Sequence, residues 1–132
     1  MIGLDTNILV RYFAQDEPRQ SKVARELLEN KLTREGPGHI TVIVLAEFAW
    51  VLKRLYHGTR TEIAEAIEGL LSASTINIEN KRLVRNVLRA YSTSKAEFSD
   101  CLVAQANLDA GCEFTFTFDR EASKMHGFRL LR

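Results

Sequence analysis

No apolar run in the 132-residue chain approaches the roughly 18 residues that a membrane-spanning helix needs. The chain starts Met1-Ile2-Gly3-Leu4-Asp5, without a basic stretch or a cleavable apolar segment, so the expected compartment is the cytoplasm. Cysteine is scarce: Cys101 and Cys112 lie outside any C-x-x-C or Cys/His metal spacing and read as two buried or half-buried free thiols. A charge excess is missing as well. Eighteen basic residues oppose 17 acidic ones for a net charge of +1, which removes any global electrostatic case for nucleic acid. A nucleic-acid substrate would have to be held by a local basic patch, a metal ion or the surface of another subunit. There is no internal repeat, linker or low-complexity segment, so residues 1–132 are expected to form a single domain.

What is present is a mixture of 45% hydrophobic and 27% charged residues, which suits an ordinary globular core. The short apolar run Ile2-Gly3-Leu4 predicts a strand ending at Asp5-Thr6-Asn7, three residues that can each cap the helix that follows. Pro18 opens a second helix, with Val23, Ala24, Leu27 and Leu28 on its apolar face, and Gly36-Pro37-Gly38 closes that segment. Ile40-Thr41-Val42 predicts a strand running into a helix that His57-Gly58 stops near Tyr56. Thr59 to Glu62 is a capping-box pattern ahead of Ile63, Ile67, Leu70 and Leu71 at helical spacing.

Thr75 to Ile78 predicts a short strand, and Leu83, Val84, Val87, Leu88 and Tyr91 mark an amphipathic helix. A further helix is expected from about Ser99 to Ala110, closed by Gly111. The alternation of Phe114-Thr115-Phe116-Thr117-Phe118 is that of a strand, Asp119 caps a short helix after it, and Phe128 to Leu131 forms the last strand. Strands alternating with helices indicate an α/β domain with a largely parallel sheet.

Most acids, such as Glu26, Glu29, Glu62, Glu65 and Glu68, fall on predicted solvated helix faces. Four stand apart. Asp5 and Asp119 end strands, and in open α/β sheets the ligand crevice lies outside the carboxyl ends of the strands. Asp100 stands at the positive end of a helix for which Ser99 is the expected cap. Glu47 is embedded in the apolar stretch Val42 to Leu52, where a carboxylate is costly unless paired or metal-bound, or else lies on the exposed stripe of an otherwise buried helix. Helix capping accounts for each aspartate taken alone. Together, four carboxylates converging on one sheet edge would repel one another unless a hard cation such as Mg²⁺ or Mn²⁺ neutralised them, with water and substrate phosphate completing its coordination.

The segments Leu4-Asp5-Thr6-Asn7-Ile8-Leu9, Ala46-Glu47, Phe98-Ser99-Asp100-Cys101-Leu102-Val103-Ala104 and Thr117-Phe118-Asp119-Arg120 resemble the motifs of PIN-domain nucleases. In length and motif order the chain most resembles the VapC-type toxins of bacterial toxin–antitoxin pairs, over nearly its whole length. That resemblance implies a central parallel sheet of about five strands flanked by helices, with the first strand in the middle. It implies that Asp5, Glu47, Asp100 and Asp119 form an acidic quartet around Mg²⁺ or Mn²⁺, and that Asn7 and Thr117 hold the site together. Glu97 matches an accessory acidic position that is often Asp in relatives. The resemblance further implies single-stranded or looped RNA as substrate, such as a structured RNA of the tRNA kind, a homodimer, and a small antitoxin with a DNA-binding N-terminal part as partner.

The chemistry expected is phosphodiester hydrolysis by a metal-activated water, with Asp5, Asp100 and Asp119 holding metal and Glu47 acting through a bound water. Lys53 and Arg54, one to two turns beyond Glu47, are the expected RNA contacts, whereas Arg82, Arg85 and Arg89 form a solvated stripe and Trp50 is expected in the core rather than as a base-stacking platform. His39, His57 and His126 share no motif, which disfavours a metal-free acid/base ribonuclease. Two other readings stand beside this one. A non-catalytic module would use the acids only as caps. A haloacid-dehalogenase-like phosphatase would need a second acid where this chain has Asn7.

Overall fold

A computed structural model describes residues 1–132, and it resolves into two compact units, Met1–Glu79 and Asn80–Arg132. All strand pairing in both units is parallel, and the architecture is the expected α/β. No helix is long and apolar enough to cross a membrane.

The first unit runs β1 (Ile2–Gly3), α1 (Thr6–Ala14), α2 (Pro18–Glu26), a π-helical turn (Leu27–Lys31), β2 (Gly38–Ile40), α3 (Val42–Tyr56), α4 (Arg60–Ser72) and β3 (Ile76–Ile78). Its three strands pair in the order β1-β2-β3, with Ile2 beside Gly38 and Gly38 beside Ile76. β2 is the central strand, and its Gly38 has no room for a side chain: a Cβ there would lie 2.7 Å from Leu4 Cδ1 and 2.9 Å from Leu32 Cδ1. The strand predicted over 40–42 therefore starts earlier. Thr41 leaves the ladder to cap α3 instead, its Oγ1 accepting from the Val44 amide at 3.2 Å.

The helices of this unit form where the caps and periodicities place them. The Thr59/Glu62 box is complete, with Thr59 N–H donating to Glu62 Oε1 at 2.9 Å and Glu62 N–H to Thr59 Oγ1 at 3.1 Å. Ile63, Ile67, Leu70 and Leu71 are buried. At the end of α3 the residue in the left-handed region is His57 rather than a glycine. Two expectations fail on this side of the molecule. Val23 is 67% exposed, so the apolar face of α2 is narrower than its spacing suggested. Beyond Glu26 the α-helix gives way to the π turn, where the Leu32 amide donates to Leu27 O at 3.0 Å.

The second unit holds α5 (Lys81–Ser92), α6 (Phe98–Asp109), β4 (Thr115–Thr117), a 3₁₀ turn (Ala122–Lys124) and β5 (Phe128–Leu130), with β4 and β5 paired in parallel. Leu83, Val84, Val87, Leu88 and Tyr91 are buried, as their spacing requires, and Arg82, Arg85 and Arg89 are exposed opposite them. α5 packs on α6 through the edge-on contact of Tyr91 with Phe98, whose ring centroids are 5.9 Å apart. α6 ends in a Schellman motif: Gly111 takes φ +99°, its amide donates to Leu108 O, and the Cys112 amide donates to Asn107 O. That motif carries Cys112 to the exterior, so of the two thiols Cys101 is buried and Cys112 is exposed.

Candidate active site

In the first unit the carboxyl edge of the sheet is where the polar groups gather. The Leu4 amide still bonds to His39 O at 2.9 Å, so Asp5 is the first residue beyond the ladder of β1. Its backbone stays extended, and its Oδ1 accepts from the Thr6 amide at 2.8 Å as α1 begins. The local capping role expected of Asp5 is therefore real. α3 begins at the same edge, after β2, and Glu79, just past β3, accepts from the Val42 amide through Oε1 at 3.0 Å. This acid serves the positive end of α3, a role no local motif announced.

Glu47 lies in the second turn of α3 and is exposed. Leu45, Phe48, Ala49 and Leu52 are the buried residues of that helix, so those four turn away from Glu47. The exposed-stripe alternative holds, and burial is not what makes this carboxylate distinctive. Its distinction is a long-range bond: Thr6 Oγ1 donates to Glu47 Oε1 at 3.1 Å. Thr6 is only 7% exposed, so one buried side chain and its own amide bind Asp5 and Glu47 together across the α1–α3 boundary. In the sequence Thr6 is merely one of three possible caps. Asn7, next along α1, is exposed and lines a cleft of about 790 Å³ between α1 and α2, together with Arg11, Glu17, Arg19 and Gln20.

Trp50 is 50% exposed, which overturns its placement in the core. Lys53 and Arg54, in the last turn of α3, are also exposed. Of the histidines, His39 is half-buried in β2, with its Nδ1 2.8 Å from Asn77 Nδ2, and His57 is the left-handed residue that ends α3.

In the second unit Asp119 follows β4 and is exposed. Its amide donates to Thr117 Oγ1 at 3.0 Å, and its Oδ1 accepts from the amides of Glu121 and Ala122 at 2.9 and 3.1 Å. Thr117 Oγ1 is thereby tied to the backbone of Asp119. Asp100 is half-buried in the first turn of α6. The helix starts one residue earlier than predicted, at Phe98, so Glu97 rather than Ser99 occupies the cap position, without a side-chain cap bond. The neighbour of Asp100, Cys101, is fully buried, with its Sγ 3.8 Å from Met125 Sδ, and so fixes this turn against the segment after Asp119. Beside it, a cleft of about 490 Å³ is lined by Thr93, Ser94, Lys95, Glu121, Lys124 and His126.

The acids expected around a cation thus divide between the units, Asp5 and Glu47 in the first and Asp100 and Asp119 in the second. Within neither unit do three His, Cys, Asp or Glu side chains gather closely enough to enclose a metal by themselves. The donors are nonetheless of the right kind for Mg²⁺ or Mn²⁺, being hard carboxylate oxygens on side chains open to solvent or half-open, with water and phosphate supplying the remaining ligands.

The model of the PIN domain matches residues 2–127, from β1 to the residue before β5 and across both units. The chain belongs to the PIN domain family. Among curated proteins, this PIN domain is similar to a VapC ribonuclease of Aquifex aeolicus (strain VF5), with 26% identity over 127 residues, covering 96% of this chain and 92% of the relative.

Proposed function

We propose that this PIN domain is a metal-dependent endoribonuclease that hydrolyses RNA phosphodiester bonds as the toxin of a VapBC-type pair. The observation that carries the proposal is the joining of Asp5 to Glu47 through Thr6 at the carboxyl edge of a parallel sheet. Similarity to a VapC ribonuclease over nearly the full length of both chains supports it.

In this reading Asp5, Asp100 and Asp119 hold Mg²⁺ or Mn²⁺. When bound there, the cation supplies Lewis acidity that acidifies water and offsets charge on the phosphate. Glu47 orients a water and accepts a proton from it through the carboxylate that Thr6 holds in place. The water oxygen bonds to phosphorus, the bond to the leaving oxygen breaks, and that oxygen takes up a proton. Asn7 and Thr117, the latter bonded to the Asp119 amide, help hold the site together, and Glu97 is an accessory acid. Lys53 and Arg54 contact the RNA backbone, which makes binding salt-sensitive in a chain of net charge +1. The partners that go with this activity are a small antitoxin and a second copy of the chain, in the cytoplasm.

The test is cleavage of total RNA with Mg²⁺, Mn²⁺ or EDTA, comparing wild type with Asp5→Asn. Cleavage should require the cation and be abolished by the substitution, and activity that survives EDTA would overturn the metal-dependent mechanism. Expression should arrest growth, and a small protein should co-purify. The local bonds of Asp5 and Asp119 also suit a non-catalytic module. Under that reading, changing both to Asn would leave RNA cleavage and toxicity as they are.

A further inference from the structure

The face of α3 that carries Glu47 is not a plain solvated stripe. Ile43, one turn before Glu47, is 69% exposed, and Trp50, one turn after it, is 50% exposed. Lys53 and Arg54 follow one turn beyond Trp50 and are exposed as well. Residues three or four apart on a helix are neighbours, and long side chains lean back toward the helix N-terminus. Trp50, three residues on, is therefore a neighbour of Glu47 on the helix surface. A half-exposed tryptophan is an unusual use of the residue most often found largely buried. Along this face the order is carboxylate, flat aromatic surface, then cations.

We infer that Trp50 is a stacking platform for a base of the RNA, next to the phosphodiester that Glu47 addresses. Stacking on an aromatic face is tolerant of base identity but needs an unpaired base, and the adjoining cations suit the phosphate that follows it. The inference assigns Trp50 a direct binding role toward an unpaired base. It rests on the ribonuclease reading above. The chain has a single tryptophan, so its intrinsic fluorescence reports on this position alone.

Two measurements on the full chain test it. In cleavage-deficient Asp5→Asn protein, titration with a single-stranded oligoadenylate should quench tryptophan emission, and an RNA duplex of equal length should not. In steady-state cleavage of a single-stranded RNA, Trp50→Ala should raise KM roughly ten-fold with kcat changed by less than about two-fold. Trp50→Phe should recover most of the loss, and Trp50→Leu, equally apolar but not flat, should not.

Unaltered KM in Trp50→Ala, or unaltered emission when the oligonucleotide is shown to be bound, overturns the platform while leaving the ribonuclease reading intact. A concentration-dependent blue shift without RNA, unaffected by added oligonucleotide, assigns the face to a second copy of the chain and overturns it too. Failure of the wild type to cleave any RNA overturns both readings together. Should Trp50→Ala not fold, the emission titration and the Phe and Leu variants still decide.

Discussion

Thr6→Val removes one hydroxyl and keeps the shape of the side chain, which makes it the sharpest probe of the Asp5–Glu47 link. The lost bond, from Thr6 Oγ1 to Glu47 Oε1 at 3.1 Å, is made to a charged acceptor. Such bonds are worth about 1.5–3 kcal/mol when shielded. Glu47 is exposed, so solvent screening reduces this to about 1 kcal/mol or less. Thr6 is 7% exposed, and a buried methyl in place of the hydroxyl returns a gain of similar size, about 0.8 kcal/mol. The fold should therefore hold to within about 1 kcal/mol, which thermal denaturation followed by circular dichroism can check. Catalysis should suffer more, because Glu47 loses the contact that orients it, and misplacement of a catalytic group commonly costs on the order of 10- to 100-fold. Single-turnover cleavage with protein in excess measures that step directly, and Thr6→Ser, which keeps the hydroxyl, should stay near wild type. If Thr6→Val cleaves as fast as wild type, or if Ser and Val are equally slow, the positioning role of Thr6 is wrong.

Tyr56→Phe should make stability less dependent on pH. The Tyr56 hydroxyl donates to Asp16 Oδ2 at 2.7 Å and holds its carboxyl below the ordinary value, with Arg11 helping; the same bond raises the tyrosine. The Asp16 contribution is present above the ordinary Asp pKa of about 3.9 and is lost as pH falls through the lower folded value. That of Tyr56 is present below about pH 10 and is lost as pH rises through its raised folded value. Denaturant melts across pH should show wild type and Tyr56→Phe converging at both extremes, and a constant gap would refute the assignment. Ser21→Ala should be stabilising by about 1 kcal/mol, because Ser21 Oγ is buried without a hydrogen-bond partner, and a fall in Tm would contradict this. Gly38→Ala should cost about 1–3 kcal/mol by forcing a methyl against Leu4 and Leu32, read as a shift of the urea midpoint.

Helical periodicity was the most legible part of the fold, since Ile63, Ile67, Leu70 and Leu71, and again Leu83, Val84, Val87 and Leu88, are buried together. Capping was legible where both partners lie within one turn, as with Thr59 and Glu62. Asp5 and Asp119 could be marked as polar residues ending strands because that signal is local too. Partners distant in the chain were out of reach. Thr6 meets Glu47 across 41 residues and Glu79 meets Val42 across 37, and nothing in the spacing of either pair announces it. Hydrophobicity misled in specific ways. Leu45, Phe48, Ala49 and Leu52 line the buried side of α3 and leave Glu47 exposed, and Trp50 and Val23 are apolar yet exposed. Cys112 is carried outward by the left-handed turn at Gly111.

The π turn at Leu27–Lys31 holds one residue more than an α-helical turn of the same rise would. The extra residue is therefore absorbed within the turn, and Leu32 beyond it keeps its place against Gly38, whose missing side chain is the space that this leucine and Leu4 occupy. Deleting one residue there would restore regular α geometry without turning Leu32 away, so the shortened chain should tolerate Gly38→Ala no better than the native one.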